Sequence, residues 1–467
     1  MNEDLEQLRQ KRRKWVVANQ ENNFEEGIKR LLTDLYPDNA HFIYELLQNA
    51  EDTDATEVSF TLDTKKIEFK HNGMRLFSFD DVDGITSIGV STKLDDPTSI
   101  GKFGIGFKAV FAYTDTPEIH SGDYHFSIHD LVVPETEGIE QRKMEKQETI
   151  FFFPLNHSKK PAEKAVQEIT DGLDALSDNT LLFLNNIRKI EYRLPNGQPG
   201  FLERIERKGG RIEICISKPN GEKSVTRWLR FEKEVDVQDD DGIPKKCRIA
   251  IAYSLRQEKH NDRLRWKIVP LGRGQVSIYF PAVKEISNLR FHLHAPFAST
   301  VERASVRDCA GNNQLRDHMA ELIVESLFDI RKQKLLAVDF LAVMPNFKDN
   351  LSGFYELIRD VVVNAFQNKK LTPTKNKSHA AAKSLYRGPA SISNGLDDEG
   401  LALFIQKSSP LWVANPQQLN QREDNFLDSL EIPLWDGKNL FQELSSSDLE
   451  KQKRIEDWLC QKKKIAG

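Results

Sequence analysis

The chain has 467 residues, of which 39% are apolar and 29% charged. Its 66 Lys and Arg stand against 71 Asp and Glu, a net charge of −5, so bulk charge argues neither for nor against nucleic acid. Cys215, Cys247, Cys309 and Cys460 form no CxxC pair, which excludes a disulfide framework and fits a reducing compartment.

The length predicts about two to four domains. No apolar run approaches a membrane span, and the N-terminus lacks a signal-peptide core. A cytoplasmic protein without a membrane partner is therefore expected. Residues 4–34 read as helices, and their basic run Lys11–Lys14 (KRRK) reads as a solvated face. HFIYELLQNAEDTDA, His41–Ala55, is the next helix. At about 100° per residue, Phe42, Ile43, Leu46, Leu47 and Ala50 share one broad face, while Glu45, Gln48, Asn49 and Asp52 share the other with His41. TEVSFTLD and KKIEFKHNG alternate like two strands joined by a short turn. LDDPTSIGKFGIGFKAVFAYTD is a polar loop, then glycines, then a short helix. DYHFSIHDLVV and QETIFFFPL are strands, PAEKAVQEITDGLDALSD a helix, and IRKIEYRLPNG a strand with a turn.

The texture changes near residue 196. GRIEICIS, VTRWLRFEKEV, CRIAIAYSL and GQVSIYFPA are strands, followed by a long amphipathic helix, NQLRDHMAELIVESLFDIRKQ. A second α+β unit is expected over 196–335. Residues 336–467 are mainly helical, interrupted by the basic, polar NKKLTPTKNKSHAAAK, read as a loop. No internal repeat is present. The last segment is helix-like without a clear cap, so a longer parent chain is expected.

Three segments carry chemistry. Glu45, Asn49 and Asp52 recur at helical spacing. A carboxylate there can take a proton from water. An Asn carbonyl can ligate magnesium without adding charge that repels phosphate. The competing reading is a solvated polar face. His71–Gly73 (HNG) closes a strand, where glycine lets backbone approach a planar base, or simply makes a hairpin turn. GKFGIGFKAVF spaces Gly101, Gly104 and Gly106 ahead of a helix, an arrangement that exposes N–H groups to phosphate. It is no Walker loop, since no GK[ST] follows, and its glycine order reverses the dinucleotide fingerprint. His292 and His294 share one strand face, but no third ligand is evident, so they read as ordinary strand histidines. The tryptophans are dispersed and read as packing residues.

In combination, E-x-x-x-N-x-x-D, then x-x-G after a strand, then G-x-x-G-x-G before a helix, resembles the GHKL ATPases. That superfamily includes gyrase, the ninety-kilodalton heat-shock chaperones, histidine kinases and mismatch-repair ATPases. ELLQNAEDTDA, SIGVSTK and GKFGIGFKAVF look most like its sacsin-type branch. The resemblance covers roughly residues 20–155 and continues more weakly through FHLHAPFASTVERASVRD. It implies an α+β protein: a Bergerat-type α/β sandwich that binds nucleotide at 1–195, a transducer-like α+β domain at 196–335, and a mostly helical region at 336–467. It implies magnesium-dependent ATP hydrolysis coupled to lid closure, a chaperone-like or defence-like action on a macromolecular client, and a homodimer as one further state.

Residue by residue, the resemblance makes Glu45 the activator of water, Asn49 the magnesium ligand and Asp52 a nearby nucleotide-site residue. Gly101, Gly104 and Gly106 surround the triphosphate, with Lys102, Phe103, Ile105 and Phe107 between and after them. Ser91, Thr92 and Lys93 lie in the mobile lid, about 76–100. Thr149 supports recognition of the base. Arg303 and Arg307, in the loop-like HAPFASTVERASVRD, are candidates for the cation on the γ-phosphate. One position departs from the family. Aligned on Gly73, the aspartate that many members present to adenine is His71. A neutral imidazole, or the Asn72 amide oxygen, could accept the adenine amino proton instead. The alternatives are a nucleotide-gated binding module with little turnover, a histidine-kinase-like phosphotransferase, for which no phosphoacceptor helix is present, and a nucleic-acid clamp using Lys11–Lys14 and Lys369–Lys383.

Overall fold

The computed structural model describes residues 3–22, 27, 41–88, 106–139, 147–195, 197–238, 242–260, 263–282, 284–299, 305–405, 409–416 and 419–466. Helix α1 (Glu3–Glu21) has Glu3, Asp4 and Glu6 in its first turn, where acidic groups suit the positive end of the helix dipole. Its basic run is only partly solvated, which corrects the sequence expectation. Lys11 and Lys14 are exposed, but Arg12 bonds Asp83 at 2.6 Å and the Ser87 hydroxyl at 2.5 Å. Arg9 and Arg13 each reach Glu135 at 2.6 Å. These pairs strap α1 onto its neighbours in the fold.

Helix α2 (Phe42–Glu51) follows, then the antiparallel hairpin β1 (Glu57–Leu62) and β2 (Lys66–His71), paired from Val58↔His71 to Leu62↔Ile67. Alternation along both strands turns Val58, Phe60, Leu62, Ile67 and Phe69 inward, as period-two patterning requires. They share one core with Phe42, Ile43, Leu46, Leu47 and Ala50 of α2. Helix α3 (Phe79–Ile85) begins at a capping box, in which Ser78 and Asp81 satisfy each other's backbone N–H. Beyond it lie β3 (Glu118–Ser121), β4 (Tyr124–His129), β5 (Val133–Glu135) and β6 (Thr149–Pro154). Strand β6 pairs β2 with His71 opposite Thr149, and β3 with Ser121 opposite Thr149. Helices α4 (Ala162–Asp174) and α5 (Asp178–Leu182) then lead into β7 (Lys189–Arg193), which runs parallel to β1.

The chain goes on through β8 (Gly200–Arg207), β9 (Arg211–Ser217), β10 (Lys223–Gln238), β11 (Pro244–His260), β12 (Arg263–Val269), β13 (Val276–Ile278), β14 (Phe280–Pro281) and β15 (His292–His294). The expected boundary at 195/196 falls in the turn between β7 and β8. Those two strands pair antiparallel, so one mixed sheet of 15 strands passes through the boundary. Leu202, Ile212, Ile214 and Trp228 accordingly join the same buried cluster as α2. Helix α6 (Ala310–Lys332), predicted from its periodicity, buries Leu315, Met319, Ile323 and Leu327 in a second cluster with Ile249, Ile251 and Tyr253 of β11. The 368–383 segment, read as a loop, holds the short hairpin Thr372–Pro373 with His379–Ala380. His292 and His294 are buried; His294 stacks on Phe183, and His292 packs at a tilt against Trp228. Among the described residues no helix is long and apolar enough to cross a membrane.

Candidate functional site

Helix α2 has no solvated polar face. Glu45 is 3% exposed and Gln48 1%, a burial that carboxylates and amides adopt only with specific surroundings. Glu45 Oε1 lies 3.5 Å from Nε2 of His41, one turn earlier. On its other side is Gly106, which opens the 3-10 turn Gly106–Ala112. A Cβ built on Gly106 would overlap Oε2 of Glu45. The glycine is thus the condition for the carboxylate's position, because any larger residue would fill the space that the carboxylate occupies. Asn49 lies one turn further along α2 and Asp52 at its C-terminal end, both half-buried. The helix stops where Asp54 takes a positive φ of 59°, a conformation that aspartate tolerates better than most residues.

The turn after β2 is built just as tightly. A Cβ on Gly73 would overlap the Thr53 hydroxyl and fall 2.8 Å from Nδ1 of His71. The Gly73 N–H donates to His71 Nδ1 at 3.1 Å. That nitrogen must therefore carry the lone pair, which puts the imidazole proton on Nε2. Burial pulls His71 down to about 4, so the ring is neutral at physiological pH. The Asn72 amide oxygen accepts from the N–H groups of Thr56 and Glu57, each at 2.9 Å, and its nitrogen donates to the Thr56 hydroxyl at 2.9 Å. Both acceptors offered to adenine in the sequence reading are therefore engaged in the turn itself. Across the sheet from His71, the Thr149 hydroxyl is buried and bonded to Ser121 Oγ at 2.6 Å. Ser121 Oγ also accepts the Phe77 N–H at 3.0 Å.

Two residues within the motif stretches, but without a role in the sequence analysis, hold the site in place. Glu51 ends α2 and is 5% exposed. Its carboxylate accepts the backbone N–H groups of Asn185, Asn186 and Ile187, the last two at 2.9 Å. Carbonyls from the end of α5 through residue 185 are held by three arginines. Arg204 donates to Leu181 at 2.8 Å and to Asn185 at 2.9 Å, Arg230 donates to Leu182 at 3.0 Å, and Arg248 donates to Phe183. A chain of polar contacts thus runs from α2 through residues 181–187 to β8, β10 and β11. The second residue, Lys108, is buried two positions after Gly106. Its ammonium donates to Ile85 O at 2.7 Å and Leu131 O at 2.5 Å. Burial, with the nearby Arg12 charge, lowers it to about 7.

Of the remaining candidates, Phe107 is buried against Phe151 and Phe153. Arg307 is exposed before α6, its backbone held by Ala298 and Asn312. Ser91, Thr92, Lys93, Gly101, Lys102, Phe103, Gly104, Ile105 and Arg303 lie outside the described residues. Among the described residues no cluster of three or more His, Cys, Asp or Glu could hold a metal ion. The donors beside Glu45 nonetheless fit magnesium, which takes few protein oxygens and completes its shell with water and phosphate.

The structure thus brings together a buried helix carboxylate set against a glycine, an amide one turn later, and a glycine turn closing the neighbouring strand. Residues 21–150 match the family model described as the Sacsin domain, the segment that bears these motifs. Human sacsin is 28% identical over 354 residues, 63% of this chain and 7% of the relative. Protein NO VEIN of Arabidopsis thaliana is 38% identical over 105 residues, 21% of this chain and 4% of the relative. The chain thus spans less than a tenth of the length of either relative. The solved structures that match include the following two. The N-terminal domain of a DNA repair protein gives a TM-score of 0.34 at 11% identity, covering 61% of this chain and 92% of that one. The B-subunit of DNA gyrase from Myxococcus xanthus gives 0.38 at 9%, covering 65% and 96%.

Proposed function

We propose that this chain binds ATP with magnesium at the α2 site and hydrolyses it, Glu45 acting as general base. The observation that carries the reading is the buried Glu45 carboxylate held against Gly106. Glu45 would accept the proton of the attacking water, and its burial keeps bulk water from competing for that carboxylate. Asn49 would supply a neutral oxygen to the ion. Bound magnesium would offset negative charge on the phosphates. Phosphate would meet the backbone N–H groups around Gly106, and Arg307 is the described candidate for a cation from the second unit. Nucleotide turnover would act on a macromolecular client through the contacts of residues 181–187, in a chaperone-like or defence-like role, with homodimerisation as part of the cycle.

The engaged acceptors at His71 and Asn72 favour a second reading, a nucleotide-gated binding module with little turnover. One experiment separates the two. Phosphate release and calorimetric ATP affinity are measured for the wild-type chain and for Glu45→Gln. The hydrolase reading expects turnover to fall about 10²-fold or more while affinity holds. Equal phosphate release from both proteins would remove Glu45 from catalysis.

A further inference from the structure

Strands β10 and β11 pair from Gln238↔Pro244 up to Trp228↔Ser254, and there the ladder stops. Both strands continue. Residues 223–227 of β10 pair only with β9, and residues 255–260 of β11 pair only with β12. Ser254 pairs with Trp228 and with Val269 at once, so β12 lies on the side of β11 away from β10. The sheet therefore forks. Two strand edges face each other, each with backbone N–H and C=O groups that no ladder among the described residues takes up.

A cleft of about 660 Å³ occupies the crotch of this fork, lined by Val225, Arg227, Trp228, Leu255, Arg256 and Leu271 among others. Its floor is fixed. Trp228 is buried, packs on His292 at 4.8 Å between ring centroids with the planes tilted by 45°, and donates its indole N–H to Thr226 at 3.0 Å. Its walls are unlike a finished surface: Val225 is 47% exposed, an apolar side chain left open beside two arginines. Arg227 is tied to Glu213 at 3.1 Å and lies 5.9 Å from the Trp266 ring. Arg256 is exposed at the mouth. The one acid of the lining is Asp178, in the first turn of α5.

We propose that this fork binds an extended, acidic peptide segment of a partner protein by strand addition. Facing edges offer the main-chain hydrogen bonds that a peptide strand needs, on a scaffold already set at strand geometry. The alternation of a strand places every second side chain on one face. An apolar residue can then cover Val225 and Leu271 while a neighbouring carboxylate meets the Arg256 guanidinium, a bidentate pairing that favours acidic side chains. A polyanion without backbone amides, such as single-stranded DNA, could satisfy the arginines but not the edges.

The test uses the full chain and a fluorescent peptide of about six residues, the common strand length, alternating Asp and Val. A second peptide has the same sequence with alternate backbone nitrogens methylated. A third probe is an oligo-dT of similar charge. Hydrogen exchange with the first peptide is expected to protect amides within 223–227 and 255–260. Arg256→Glu should weaken binding about tenfold or more, the scale of a charge-assisted pair converted to repulsion. The methylated peptide should lose affinity to a similar extent. The proposal is overturned if the first peptide gives no protection at about 1 mM, if protection maps outside the fork, if methylation changes nothing, or if oligo-dT alone protects these edges. Arg256 is exposed, so its substitution keeps the fold, and thermal unfolding of the variant verifies this.

Discussion

The link from Glu51 to the 185–187 loop gives the most quantitative prediction. In Glu51→Ala, three backbone N–H groups lose a charged acceptor. Asn185 and Asn186 are at or near the surface, so water can replace the carboxylate there, at about 1 kcal/mol each. Ile187 is fully buried, and its N–H, left unsatisfied, costs a further ~1–3 kcal/mol. The total is about 3–5 kcal/mol, or roughly 6–20 °C in Tm for a cooperative unit of 150–250 residues. Glu51→Gln keeps one oxygen and turns an amide NH₂ toward the loop, so it should fall between alanine and wild type. Scanning calorimetry on the full chain measures all three proteins. A Tm for Glu51→Ala within about 1 °C of wild type would refute the reasoning, because the carboxylate would then contribute almost nothing to holding the loop.

Three further predictions follow from the same geometry. Gly106→Ala should fold and still lose turnover by about tenfold or more, because its Cβ displaces the Glu45 carboxylate; phosphate release at the wild-type rate would contradict the packing argument. Lys108 is held at about 7 against its usual 10.5, so between those values the unfolded chain binds the extra proton and stability rises with pH, by up to about 1.4 kcal/mol per unit. Below about pH 7 both states are protonated and the slope vanishes; Lys108→Met should flatten the rise in urea unfolding between pH 7.5 and 9, and an unchanged slope would assign it to other groups. Because His71 spends its acceptor on Gly73, wild-type discrimination of ATP from GTP should be below about tenfold, whereas His71→Asp should restore an acceptor and shift calorimetric preference toward ATP; a wild-type preference of a hundredfold or more would mean that another group reads the base.

Much of the site was readable because its determinants are local. The spacing of Glu45, Asn49 and Asp52 sets them on one helix whatever the rest of the chain does, and the glycine of HNG marks a turn wherever it lies. Helix α6 and strands β9, β10, β11 and β13 were equally plain from period alone, whereas β8 and β12 were not read from the sequence. What stayed hidden depends on distant partners. Glu51 looked like one more helix charge, since the N–H groups it binds come 134–136 residues later. Arg204, Arg230 and Arg248 lie in strands far along the chain, yet each aims its guanidinium at a carbonyl of 181–185. The basic run in α1 hid two ion pairs, Arg12 with Asp83 and Arg13 with Glu135, for the same reason. Register is also invisible in one strand at a time. It decides that β7 and β8 carry the sheet across residue 195, and that β10 and β11 part after Trp228.

If ATP binds as proposed, its triphosphate sits between Glu45, Asn49 and Gly106. The most direct measurement is a crystal or cryo-EM structure of the chain with a non-hydrolysable ATP analogue and magnesium. The account predicts density for the triphosphate against the Gly106 backbone, the ion on the Asn49 side-chain oxygen, and the terminal phosphate facing the Glu45 carboxylate. Nucleotide bound at any other place, or an ion that leaves Asn49 uncoordinated while the triphosphate is ordered, would contradict it.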